Sequence, residues 1–203
     1  MKNLKGKRGI RPRTIGVVGA SKGIGVTHFS LCLANYLHSV EGQEVIYVEV
    51  SKQSYLYNMV CKKQIYIGNS IAYPYKGVNY IVSATFEEAK NILLLTKCMV
   101  VVDIKELDEC SEKIFALCEK KIVLGSMQPW KANEFEKFLF NKIYKEHCIK
   151  NILFLGKNNK KESKKLFFKE FEAYLEDIPF IEDPFKLKVD DIKKISHLFK
   201  EII

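Results

Sequence analysis

Three glycines within seven residues, Gly19, Gly23 and Gly25, mark where this chain could do chemistry. They sit inside the stretch Thr14 to Leu37, TIGVVGASKGIGVTHFSLCLANYL. Only glycine lets a backbone turn that sharply and come that close to a ligand. Thr27 then opens a segment with apolar residues at Phe29, Leu31, Leu33, Ala34 and Leu37, which is helical spacing. A loop that ends on a helix N-terminus gathers unpaired amide N–H groups and the positive end of the helix dipole, a ready site for a phosphate. A plain strand–helix turn needs fewer glycines. Farther on, Cys98-Met-Val-Val-Val-Asp103 places one aspartate at the end of an apolar run. Such a strand delivers a carboxylate to its C-terminal edge, where open α/β sheets bind their ligands.

The elements around these residues alternate. Thr14–Val18, Glu44–Val50, Gly77–Val82, Cys98–Asp103, Lys121–Ser126 and Asn151–Leu155 read as strands of buried type. Thr27–Leu37, Phe86–Leu95, Asp108–Lys120, Ala132–Tyr144, Glu162–Tyr174 and Asp190–Ile203 read as helices. Strand–helix alternation predicts an α/β fold, a three-layer sandwich around a mostly parallel central sheet. Lys52–Tyr75 is irregular and rich in tyrosine, which suits either a partner surface or a packed extended hairpin. In the last helix Ile192, Ile195, Leu198, Phe199 and Ile202 form an apolar stripe, with Asp190 as its N-cap. That stripe fits a closing helix packed on the sheet; a basic amphipathic helix docked on membrane is the alternative.

At 203 residues the chain reads as one domain, 14–203, behind a mobile basic tail, 1–13, that carries Lys2, Lys5, Lys7, Arg8, Arg11 and Arg13. A net charge of +9 suits contact with nucleic acid, anionic lipid or a nucleotide, and also suits lysine enrichment from an AT-rich genome. The six cysteines form no C-x-x-C pair and no metal-ligand spacing, which fits a reducing cytoplasm. No signal peptide or membrane-length apolar run is read, so the expected place is the cytoplasm, or the inner face of a membrane as a peripheral protein.

Registered on Gly23–Thr27, the loop resembles the variant P-loop of the MinD/ParA family, including its TadZ- and CpaE-like pilus-assembly members, K-G-G-x-G-K-[ST]-T. Gly25 and Thr27 match. Val26 stands where the usual lysine would be, Ala20 at the first glycine, and Ser21 at the second, signature lysine, with Lys22 one place later. The resemblance extends the fold to a P-loop NTPase of MinD type. It implies ATP or ADP held by Ser21, Lys22, Gly23, Ile24, Gly25, Val26, Thr27 and His28, and magnesium held through water by Thr27 and Asp103. It makes Glu49 and Asp103 the catalytic carboxylates. The family's D-x-D pair falls on Glu49 and Ser51, and only the first keeps a carboxylate. Ser126 and Gln128 fall in its switch loop. Asn158 or Asn159 falls where the adenine edge is read, and the Ile178–Pro184 segment, with Asp183 and Pro184, falls beside the base and resembles the closing strand.

The implied partners are a second copy of the chain, pilus, secretion or cell-pole machinery, and DNA or anionic membrane through the basic surface. Loss of one charge-stabilising donor costs about two to three orders of magnitude in rate. The missing cations therefore predict a dimeric scaffold that binds nucleotide with little or no hydrolysis. A slow ParA/MinD-type ATPase switch on DNA or membrane is the first alternative. The second is an NAD(P)-binding short-chain dehydrogenase, because Gly19-Ala-Ser-Lys-Gly23-Ile-Gly25 satisfies G-x-x-x-G-x-G. That family's Y-x-x-x-K pair and N-N-A-G motif are missing from the chain.

Overall fold

Runs of β-branched residues with no exposed face build the centre of the molecule. In the computed structural model, which describes residues 13–144, 151–157 and 159–199, the strands β1 (Thr14–Gly19), β2 (Val45–Val50) and β6 (Met99–Ile104) are buried almost throughout. Around them, in chain order, lie α1 (Val26–Ser39), α2 (Tyr57–Val60), β3 (Ile65–Ile67), β4 (Ser70–Tyr75), β5 (Val78–Ile81) and α3 (Phe86–Leu95). After β6 come α4 (Glu109–Leu117), β7 (Lys120–Gly125), α5 (Pro129–Phe138) with a π-helical turn Leu139–Ile143, β8 (Ile152–Gly156), α6 (Lys161–Phe171), β9 (Leu175–Asp177) and α7 (Val189–Phe199).

The strands join one nine-stranded sheet in the order β3-β4-β5-β2-β6-β1-β7-β8-β9. All pairings from β5 to β9 are parallel, and only β3–β4 and β4–β5 are antiparallel. Side chains alternate between faces along each strand. Val17, Tyr47, Val101 and Leu124 face the layer of α1 and α7, while Val18, Ile46, Val102 and Phe154 face that of α3 to α6. The expected three-layer α/β sandwich is therefore present.

The sheet order does not favour the dinucleotide-binding alternative. That fold sets its first two strands side by side, in the order 3-2-1-4-5-6. Here β6 lies between β1 and β2, and brings Asp103 against both.

One local expectation, the packed hairpin, is met in part and two others are corrected. The irregular segment Lys52–Tyr75 contains the short helix α2 and the hairpin β3–β4, with Tyr73 packed on Tyr57. The closing strand is not Ile178–Pro184 but β9, just before it; Leu175 is buried against the α6 side, and the Ile178 amide makes a last bond to Gly156 O at 3.0 Å. Asp190 lies inside the first turn of α7, and it is Asp191 Oδ2 that accepts the Lys188 amide, 3.0 Å away. The stripe of α7 faces inward as a closing helix should: Ile195, Leu198 and Phe199 are buried, and Phe199 meets the rings of Tyr36 and Phe29 at 5.0 and 5.8 Å. Among the described residues no helix is long and apolar enough to cross a membrane. The tail residues 1–12, Cys148, Asn158 and Ile202 lie outside the described residues.

Candidate functional site

The loop after β1 is shaped by what packs beneath it. A Cβ on Gly19 would come within 2.6 Å of the Cγ2 atoms of both Ile24 and Val26, so only glycine lets the loop fold back on the strand end. Val26 is buried there, and this is why it stands apart from any charge-bearing role: its side chain fills the space under the loop. Ala20 ties the loop to β7 by donating its amide to Leu124 O at 2.8 Å. Gly25, at φ 109°, is the N-cap of α1, and no side chain among the described residues caps it. The first-turn amides of α1 thus have no partner within the helix and present the positive end of its dipole.

Thr27, on that first turn, reaches down to the sheet. Its Oγ1 donates to Asp103 Oδ2 at 2.7 Å, and the Tyr47 hydroxyl donates to the same oxygen at 2.7 Å. Asp103 is fully buried, and its carboxyl is pushed up to about 6, chiefly by burial. The bonds from Thr27 and Tyr47 act against that rise, Glu49 adds to it, and Lys105 opposes it. The Tyr47 phenol is raised well above its ordinary value by burial first and by Asp103 next. Glu49 lies directly opposite Asp103 in the β2–β6 register and is also fully buried. Lys105 Nζ stands 2.5 Å from Glu49 Oε1.

Two oxygens at this strand edge suit magnesium. Glu49 Oε2 and Asp103 Oδ1 are buried and meet no donor among the described residues. A hydroxyl that donates to a carboxylate keeps its lone pairs free. Thr27 Oγ1 and Asp103 Oδ1 are therefore hard oxygen donors of the kind magnesium takes alongside waters. The pair fits the ion.

Beside the loop opens a cleft of about 340 Å³, lined by Gly25, His28, Phe29, Lys157, Ile178 and Phe180 among others. Burial, and then the Lys157 charge, lower the His28 imidazole from its ordinary value of 6.5. Gly23 and Ile24 also line the cleft, Ser21 is half-buried and Lys22 is exposed.

The residues expected around the base are placed unevenly. Asn159 donates its side-chain amide to Asp177 Oδ1 at 3.0 Å, at the end of β9. Asp183 Oδ1 accepts the Phe185 amide at 2.9 Å, and the cleft wall is formed by Ile178–Glu182 rather than by Asp183 and Pro184. Ser126 is buried, and its Oγ accepts the Gln128 amide at 3.3 Å. Tyr47, Lys105 and Lys157 were not anticipated. Tyr47 stands two residues before Glu49 and Lys105 two after Asp103, so strand periodicity was the available signal for the tyrosine.

No family model matches the chain, and no curated protein matches it in sequence. Solved structures do match it in shape. A plasmid partition protein from Borrelia burgdorferi B31, solved bound to AMPPNP, aligns over 95% of this chain and 100% of its own, with TM-score 0.67 and 18% identity. A ParA family ATPase from Chlorobium tepidum aligns over 92% and 93%, with TM-score 0.60 and 14% identity. The MinD cell division protein of Aquifex aeolicus aligns over 89% and 86%, with TM-score 0.53 and 13% identity. Across almost its whole length, then, the chain has the fold of the ParA/MinD P-loop ATPases.

Proposed function

We propose that the chain binds an adenine nucleotide, ATP or ADP, on the loop Ser21–His28 and hydrolyses it slowly or not at all. The observation that carries this reading is the 2.7 Å bond from Thr27 Oγ1 to Asp103 Oδ2, which joins the end of a glycine-rich loop to a buried strand-end carboxylate. The main-chain amides around Gly25 take the phosphates. Thr27 and Asp103 hold magnesium, which when bound supplies positive charge to the phosphate oxygens. The cleft between α1 and Ile178–Glu182 takes the base. The AMPPNP on the Borrelia partition protein supports the same ligand class.

Weak turnover follows from charge. Phosphoryl transfer depends on cations that stabilise the transferring group. Val26 supplies none, Ser21 supplies none, and Glu49 is already engaged by Lys105. The resemblance of the loop to TadZ- and CpaE-like sequences supports a dimeric scaffold that positions pilus, secretion or cell-pole machinery. The +9 charge supports a cytoplasmic protein touching DNA or the inner face of an anionic membrane.

A fluorescent ATP titration run beside a phosphate-release assay tests this reading. Saturable binding with release at background is expected. Turnover that disappears in Asp103→Ala would instead establish the slow ParA/MinD-type switch, which the buried Glu49 carboxylate favours.

A further inference from the structure

The ammonium of Lys105 is held on every side. It lies 2.5 Å from Glu49 Oε1, donates to Gln53 O at 3.2 Å and to Ser51 Oγ at 3.5 Å, and sits 4.7 Å from the centre of the Tyr55 ring. Three acceptors match its three N–H groups, and a ring face completes the cage. Its side chain is only 20% exposed and that of Glu49 is not exposed at all. Next to this pair, Asp103 keeps one buried oxygen, Oδ1, that meets no donor among the described residues, and Glu49 keeps Oε2 in the same condition. The edge of β2 and β6 therefore carries two carboxylates side by side, one with an ammonium on it and one without.

We infer that Lys105 is a built-in counter-cation that takes Glu49 out of metal coordination and leaves Asp103 as the one carboxylate open to a divalent ion. The inference deepens the nucleotide-site reading and rests on it for its meaning, but its test needs no nucleotide. A carboxylate already facing an ammonium at hydrogen-bond distance offers little net field to a second cation. Take the ammonium away, and Glu49 and Asp103 form a two-carboxylate site for a hard cation.

The test titrates the full chain, free of nucleotide, with Mn²⁺ and reads the bound ion by electron paramagnetic resonance. Lys105→Met should bind Mn²⁺ about tenfold or more tighter than wild type, a modest gain for one unscreened charge at such a distance. Adding Glu49→Gln to that variant should return the affinity to the wild-type level. If Lys105→Met does not fold by circular dichroism, Lys105→Gln keeps a shorter stem and a hydrogen-bond donor without the charge and carries the same expectation. Equal or weaker Mn²⁺ binding in the folded variant, or a gain that survives Glu49→Gln, overturns the inference. A parallel ATP titration of the wild type separates the two readings. No ATP binding there sinks the proposed ligand, while the Mn²⁺ result still decides the role of Lys105.

Discussion

Two hydroxyls on one carboxylate oxygen hold the site together at the scale of single residues. Tyr47 and Thr27 both donate to Asp103 Oδ2; Tyr47 and Asp103 are fully buried, and Thr27 is half-buried at the rim. Tyr47→Phe removes one donor from a buried carboxylate and should cost about 1–3 kcal/mol of stability, measured by urea unfolding. Gly25→Ala forces a side chain into φ 109° and should cost about 1–3 kcal/mol. It should also weaken nucleotide binding, because the same residue turns the chain into α1. Gly42→Ala, at φ 65° just past the far end of α1, is the control: it also places a side chain at positive φ, though within the ordinary left-handed region, and should leave binding unchanged. Thr27 and Asp103 could be picked out of the sequence because each sits inside a local pattern, a glycine loop and an apolar run. Period two along β2 puts Tyr47 on the face of Glu49, but the partners of Tyr47 and Lys105 were not legible, since they lie 56 residues away along the chain and meet them only because β2 and β6 pair.

Elements show the same division between local and distant causes. Helix α4 begins with a reciprocal cap: Asp108 Oδ1 accepts the Ser111 amide, and Ser111 Oγ accepts the Asp108 amide, both at 2.8 Å. The bond from the Ser111 backbone, then that from its side chain, hold the Asp108 carboxyl below its ordinary value of 3.8. A carboxylate lowered in this way adds stability that is present above its unfolded value and lost as pH falls through the folded one. Asp108→Ala should therefore cost about 1 kcal/mol at neutral pH. The difference from wild type should shrink as unfolding is measured at pH values falling below about 4.

Helix α7 makes a second test, because Phe199 packs on Phe29 and Tyr36 and also lines the cleft. Phe199→Ala should cost about 3–5 kcal/mol in a denaturant titration. A loss near zero would return the apolar stripe to the membrane-docking alternative. The long buried strands and amphipathic helices were legible because burial imposes a period on the sequence. β9 was not, because three residues carry no period and the apolar residues just after it, Ile178, Phe180 and Ile181, look more strand-like than Leu175–Asp177. They are apolar for another reason: they wall the cleft.

For the whole molecule, strand order decides where chemistry can happen. Placing β6 between β1 and β2 puts the loop, α1 and both carboxylates at one C-terminal edge of the sheet, on the face covered by α1 and α7. The α/β class was legible from alternation alone. The neighbour relations of the strands were not, because parallel pairing joins segments far apart in the chain and leaves no local trace. The most direct measurement is a calorimetric titration of the full chain with ATP in magnesium, repeated with NADPH. Saturable ATP binding, lost or greatly weakened in Gly25→Ala, with no heat from NADPH, is the expected result. NADPH binding in place of ATP, or no ATP binding at any attainable concentration, would contradict the account.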